Sequence, residues 1–233
     1  MGVILEYKDI NKSFGEKQIL KNINLKIESN KIVGLLGKNG SGKSTLFKLA
    51  NDLLTPTSGE VLIDGKQISA ETKKLVSYLP ERTYLDSSMR VVDALKFFED
   101  FYKDFDRAKA EGLLVDLDLD KNMRLSKMSK GMKEKVQLVL VMSRQAKIYI
   151  LDEPLGGVDP ASRDYILKTI LKNFNKDATL LISTHMIADI EKILDEVVFI
   201  DHGEIILHDK ADDLRKKENA TIDEIFRRKF YVQ

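Results

Sequence analysis

The sequence predicts an α/β fold: a mostly parallel sheet covered by helices, with a helical insertion near the middle of the chain. Three observations carry that expectation. Short apolar runs alternate with helical patterns after residue 146, a Gly-rich turn joins an apolar run to a helix starting near Lys43, and residues 90–146 have helical spacing. In chain order, "VILEYKDI" and "ILKNINLKI" alternate around "NKSFGEKQ" and read as a hairpin-like antiparallel pair. "KIVGLLG" reads as a buried strand, "EVLIDG" as a short strand and "LVSYLP" as another buried one. "VVDALKFFEDFY", "RAKAEGLLVDLDL" and "SKGMKEKVQLVLVMSRQA" follow as helices. "KIYILDE", "ATLLIST" and "EVVFID" then read as strands, separated by the helical "PASRDYILKTILKNF" and "MIADIEKIL". The charged end, "ADDLRKKENATIDEIFRRKFYVQ", reads as one or two amphipathic helices.

Composition narrows the function. The 233 residues, 43% apolar and 32% charged, suffice for one well-buried core or two small subdomains. Lys and Arg number 38 against 37 Asp and Glu, so no basic surplus argues for nucleic-acid binding. The absence of Cys excludes disulfides, Cys-ligated metals and thiol nucleophiles. The opening "MGVILEYKDI" lacks the apolar run of a signal peptide, and no stretch approaches 18 uncharged apolar residues. A soluble, cytoplasmic protein is expected.

Gly37 to Thr45, "GKNGSGKST", matches G-x-x-x-x-G-K-[ST] between an apolar strand and a helix. Gly37, Gly40 and Gly42 let the backbone curl so that successive N–H groups, through Lys38, Asn39 and Ser41, face phosphate oxygens. Lys43 reaches the β/γ oxygens, and the hydroxyl of Ser44, next to Thr45, suits Mg2+. The motif establishes nucleoside triphosphate binding and is silent on what the energy does.

"IYILDEP" places Asp152 and Glu153 at the end of a second apolar strand, at the sheet edge where open α/β folds bind ligands. Asp152 there is placed to hold Mg2+, usually through water, and Glu153 to polarise an attacking water. His185 ends another apolar strand, "TLLISTH", where it either contacts a γ-phosphate and holds Glu153, or serves as a cap. "MSKGMKEKVQL" prepares a second helix start with small residues, Ser129 and Gly131, suited to an anion or simply to a Ser cap.

The order of these motifs resembles the nucleotide-binding subunits of ABC transporters over roughly residues 3–210. "GKNGSGKST" resembles Walker A, "IYILDEP" Walker B with its catalytic Glu, "GGVD" a D-loop ending at Asp159, and "STH" the switch His. "SKGM" stands where the family's "SGGQ" signature lies, "SFG" puts Phe14 where an aromatic stacks on adenine, and "YLPER" occupies the Q-loop. The resemblance implies a P-loop NTPase core with an N-terminal antiparallel β subdomain and an inserted α-helical subdomain. The whole of 1–233 is then a single domain, with the helical subdomain over about 85–146 and a short helical extension over 211–233.

The resemblance further implies an ATPase using ATP and Mg2+. Two subunits, identical or related, pack head to tail, so that Ser129 and Gly131 of one meet the γ-phosphate held by the other. A separate transmembrane permease is the implied partner, and membrane association comes only through it, on the inner face. Three positions depart from the pattern: Lys130 for the first signature Gly, Met132 for the Gln, and Glu81 for the Q-loop Gln. Glu81 still offers an oxygen to Mg2+ but lacks the amide donor. The "SKGM" signature with Glu81 and "FYKDFD" is similar to a bacterial exporter-type group handling antimicrobial peptides and antibiotics, which implies export of peptides, antibiotics or lipid-like compounds. In "FFEDFYKDFD", the aromatics Phe97, Phe98, Phe101 and Tyr102 either face the membrane partner or bury themselves in their own subdomain. Two other functions stay open: a soluble ABC-type ATPase acting on a protein or nucleic-acid assembly, and a low-turnover nucleotide-gated module.

Overall fold

A computed structural model describes residues 2–175 and 177–231; Met1, Lys176 and the last two residues of the expected C-terminal extension, Val232 and Gln233, lie outside the described residues. The chain opens with the long strands β1 (Val3–Phe14) and β2 (Lys17–Glu28), then β3 (Ile32–Leu36), α1 (Lys43–Ala50), β4 (Ser58–Ile63), β5 (Lys66–Gln67), α2 (Ala70–Lys73) and β6 (Val76–Leu79). Three helices follow, α3 (Val91–Phe101), α4 (Arg107–Asp116) and α5 (Lys130–Met142). The chain ends with β7 (Ile148–Asp152), α6 (Pro160–Asn173), β8 (Thr179–Thr184), α7 (Ile187–Ile190), β9 (Glu196–Asp201), β10 (Glu204–Lys210), α8 (Ala211–Glu218) and α9 (Ile222–Tyr231).

The strands form two sheets: an antiparallel one in the order β2-β1-β4-β5 and a six-stranded one in the order β10-β9-β3-β8-β7-β6. All pairings in the second are parallel except β10 on β9. Alternation along the parallel strands divides the core in two. Val33, Leu35, Ile148 and Ile150 pack with the antiparallel sheet and α1, whereas Tyr149, Leu151, Ile182 and Phe199 pack with the helices on the other face. A strand buried on both faces favours apolar residues on both, which is why β3, β7 and β8 read as apolar runs, with buried polar residues only at the ends of β7 and β8.

Two departures from the sequence reading concern strand ends. The β1–β2 ladder continues to Phe14↔Lys17, so "NKSFGEKQ" is mostly strand around a two-residue turn at Gly15 and Glu16. Pairing there rests on backbone hydrogen bonds between mostly polar, partly or fully exposed residues, which leave no apolar alternation to read. β10 was not anticipated; it is an edge strand hung from a turn in which His202 and Gly203 both have positive φ.

Parallel strands place their C-terminal ends on one edge. β3 there runs into the Gly37–Lys43 loop, β6 into Glu81, β7 into Asp152 and Glu153, and β8 into His185. Four stretches far apart in sequence thus meet at the ligand-binding edge of the sheet.

Candidate nucleotide site

The loop after β3 is shaped by steric demand. A Cβ on Gly37 would lie 2.4 Å from the Ile200 carbonyl oxygen and 2.5 Å from Ser41 Oγ. Gly42, the N-cap of α1, has φ 113° and no side-chain cap, and a Cβ there would meet Leu20 at 2.6 Å. No other residue type serves both positions. The loop leaves the α1 N–H groups uncapped by side chains, the arrangement that receives an anion. Ser41 Oγ is buried without a hydrogen-bond partner among the described residues, a polar atom oriented for something beyond the chain.

Lys43 is 6% exposed, and its Nζ donates to the Gly37 carbonyl at 2.8 Å and the Lys38 carbonyl at 3.3 Å, with Glu153 Oε1 at 3.5 Å. Glu153 is held in turn. Its backbone is left-handed at φ 51°, a strained setting for a Glu, and its N–H donates to the Ser183 carbonyl and hydroxyl at 3.1 and 3.0 Å. Its Oε2 lies 2.9 Å from His185 Nδ1. The expected contact between Glu153 and His185, the residues that directly follow β7 and β8, is therefore present. A single carboxylate joins the loop lysine to the histidine.

Asp152 is buried, accepts from Ser183 Oγ at 2.6 Å, and has its pKa raised. Burial is the main cause, with the negative charges of Glu153 and Glu81 adding to it; hydrogen bonds from Ser183 and Ser44 pull the other way. A divalent cation beside Ser44 and Asp152 would offset that penalty. Among the described residues no three His, Cys, Asp or Glu side chains form a closed metal cage. That suits Mg2+, which is typically held by one or two carboxylates together with substrate phosphates. The residues present fit the ion.

These parts line one cleft of about 1080 Å3: Phe14 at the end of β1, then Asn39, Gly40, Gly42, Lys43, Ser44 and Thr45, with Glu81, Glu153 and His185 opposite. Phe14 is half exposed at the cleft rim, with Lys12 Nζ 4.9 Å from its ring centroid. The side chains of other expected site residues go elsewhere. Lys38 turns away toward α9, and Asp159 caps α6 by accepting from the Ser162 N–H at 3.1 Å. Ser129 caps α5 by accepting from the Met132 N–H at 3.2 Å; it is exposed, and nothing lies within 4 Å of a Cβ built on Gly131. Neither touches this chain's own phosphate loop.

Sequence reasoning missed a second concavity. A groove of about 780 Å3 separates α1 and β6 from α3, lined by Leu53, Tyr84, Phe97, Phe101 and Tyr102, with Ser44, Glu81 and Asp152 in its wall. Phe98 is buried, but Phe97 and Phe101 are 52% and 69% exposed. The aromatic run thus divides between its own core and this groove. The exposed pair sits four residues apart on one helix face, a spacing that marked the face without saying what covers it.

A model described as ABC transporter matches residues 20–156. The chain is 27% identical to the ABC-type transporter ATP-binding protein EcsA of Bacillus subtilis over 96% of this chain and 95% of that protein. It is 29% identical to the lantibiotic transport ATP-binding protein SrtF of Streptococcus pyogenes, covering 90% and 92% of the two chains. A solved structure of the ATP-binding subunit of an ABC transporter superposes with a TM-score of 0.85 at 28% identity, covering 96% of this chain and 98% of that one.

Proposed function

The chain belongs to the ABC transporter family as an ATP-binding subunit that hydrolyses ATP, and on that premise we propose that it closes as a dimer around two MgATP to drive a separate transmembrane permease that exports peptides, antibiotics or lipid-like compounds. The carrying observation is that the apolar groove and the nucleotide cleft share Ser44 and Glu81, with Asp152 also in the groove wall. A partner segment seated in the groove lies against the side chains that would hold the metal. Seating and hydrolysis are then mechanically linked. No helix among the described residues is long and apolar enough to cross a membrane; on this reading the permease supplies the membrane-spanning part of the machine. That partner would hold this subunit at the inner membrane face.

Each residue then has a task. The loop N–H groups and Lys43 bind the phosphates, Phe14 stacks on adenine, and Ser44, Asp152 and Glu81 hold Mg2+. When bound, the ion neutralises charge on the β- and γ-phosphate oxygens. Phosphates draw Lys43 away from Glu153, whose Oε1 is then left to accept a hydrogen bond from the attacking water. His185 keeps Glu153 oriented through the Nδ1–Oε2 contact, which leaves Nε2 for a γ-phosphate oxygen. Ser129 supports the dimer reading: its Oγ accepts in the cap while its O–H remains a donor, facing outward beside Gly131. Asp159, at the start of α6, would lie along the same subunit junction. Export of peptides or antibiotics is supported by the likeness to the lantibiotic transport protein and by the substituted signature.

Purification from detergent-solubilised membranes is expected to bring down a protein with several membrane spans, and Phe101→Asp to lose it while ATP affinity is unchanged. Retention of that protein by Phe101→Asp would overturn the assignment of the groove.

A further inference from the structure

The helix α9 lies beyond the matched residues 20–156 and beyond every motif described above. It buries Ile222, Ile225, Phe226 and Phe230 on one face. Phe226 and Phe230 stack with centroids 4.0 Å apart, and both meet Phe199 edge-on at 5.4 and 5.9 Å. Phe199 is the β9 partner of Leu36, the residue immediately before Gly37. α9 is thus seated on the strand pair from which the phosphate loop emerges.

The loop answers that contact. Lys38 Nζ donates to the Phe230 carbonyl in the last turn of α9 and stands 4.5 Å from the centroid of the Tyr231 ring. The last carbonyls of a helix have no intrahelical partner and carry the negative end of its dipole, so a cation there is favoured twice, and the ring adds a third attraction. The Lys38 carbonyl in turn accepts from Lys43 Nζ at 3.3 Å. A continuous chain of contacts runs from Tyr231 and Phe230, through Lys38, to the lysine that meets the phosphates.

The geometry points to α9 as a clasp on the phosphate loop, with Lys38 as a positioning residue: the docked helix holds the Gly37–Lys43 backbone in its phosphate-accepting shape and so raises nucleotide affinity. Lys38 is a cation inside a phosphate loop whose side chain does not line the nucleotide cleft. Its charge is committed to the helix, and its effect on nucleotide passes through the backbone. A free loop of glycines would have to be ordered by the nucleotide itself, at a cost in conformational entropy that the clasp removes beforehand. The inference rests on the nucleotide-binding reading of the cleft.

The test is calorimetric titration of the full-length chain with Mg2+ and ATPγS, beside thermal melting. Tyr231 is 66% exposed, so Tyr231→Ala leaves the fold intact. It is expected to weaken binding roughly two- to five-fold through loss of the cation–π contact, while Tyr231→Trp binds at least as well as wild type. Lys38→Met is expected to weaken binding about tenfold, through loss of a charge-assisted hydrogen bond, and Lys38→Arg to restore it. The double variant Lys38→Met/Tyr231→Ala binds no worse than Lys38→Met alone, because both changes cut one chain of contacts. An unchanged affinity in Tyr231→Ala would reduce α9 to a cover over Phe199 and overturn the clasp. Additive losses in the double variant would also overturn it, since Lys38 would then act on the phosphates directly. A wild-type chain that fails to bind ATPγS would instead overturn the nucleotide reading itself, a result plainly different from wild-type binding with indifferent variants.

Discussion

Two helices of this chain begin at small residues suited to an anion, and they are built on opposite principles. At the start of α1, glycine is forced from within: Gly37 and Gly42 have carbonyls and side chains where a Cβ would go, and Lys43 is buried against the loop it serves. At the start of α5, nothing in this chain requires glycine. Gly131 faces open space, and Ser129 is an exposed cap. The first seat is built from residues of a single copy. The second has an exposed hydroxyl and a clear approach, the features that motivate the proposal of a site shared with a second subunit.

The largest effect is expected at the reaction itself. Glu153→Gln keeps the side-chain shape and an oxygen for the His185 contact but loses the carboxylate proposed to activate water. Steady-state phosphate release is expected to fall by about 10²–10⁴-fold with ATP binding retained. Hydrolysis at the wild-type rate would mean that the α1 seat binds nucleotide for a reaction directed elsewhere.

The two glycines themselves give the next contrast. Gly37→Ala is expected to lower stability by roughly 1–3 kcal/mol in thermal melts and to remove ATP binding, because backbone must move to admit the methyl group. Gly131→Ala reverses the pattern. Ala favours a helix over Gly by about 1 kcal/mol, so the melting temperature rises, while turnover falls about tenfold and ATP affinity of the isolated subunit holds. If Gly131→Ala is as active as wild type, the α5 seat faces no partner's phosphate.

The smallest expected effect sharpens the boundary between cleft and groove. Glu81→Ala should lower turnover several-fold more than Glu81→Gln, since Gln still presents an oxygen to the metal side. Equal, negligible effects would remove Glu81 from that side.

Most strands and helices were legible because burial imposes a period on them. β3, β7 and β8 carry apolar residues through their centres and read as interior strands, and α3 with the Tyr102 that follows it showed a two-sided character in Phe97, Phe98, Phe101 and Tyr102. Elements held mainly by backbone pairing at exposed edges were harder to see. The far end of the β1–β2 ladder is mostly polar, and edge strand β10, Glu204–Lys210, has a short aliphatic run between charged residues with no position fully buried, so neither shows a clear alternation. The site was legible wherever chemistry restricts residue type within a short window, as in "GKNGSGKST" and "LDEP". The aromatic groove and the Lys38–Phe230 contact were not, because their parts are separated by dozens of residues in sequence and no local constraint links them.

The sequence by itself determined which groups are present: a loop whose glycines admit phosphate, two adjacent carboxylates after an apolar strand, a histidine after another, and a capped helix start with no evident ligand. Tertiary structure alone decided who meets whom. Parallel pairing brought β3, β6, β7 and β8 out on one edge, so that a single carboxylate on Glu153 lies within reach of both Lys43 and His185, and it left Ser129 and Gly131 facing outward. Residue type sets what a side chain can donate or accept. Only the packing of distant segments sets the ångströms over which it does so.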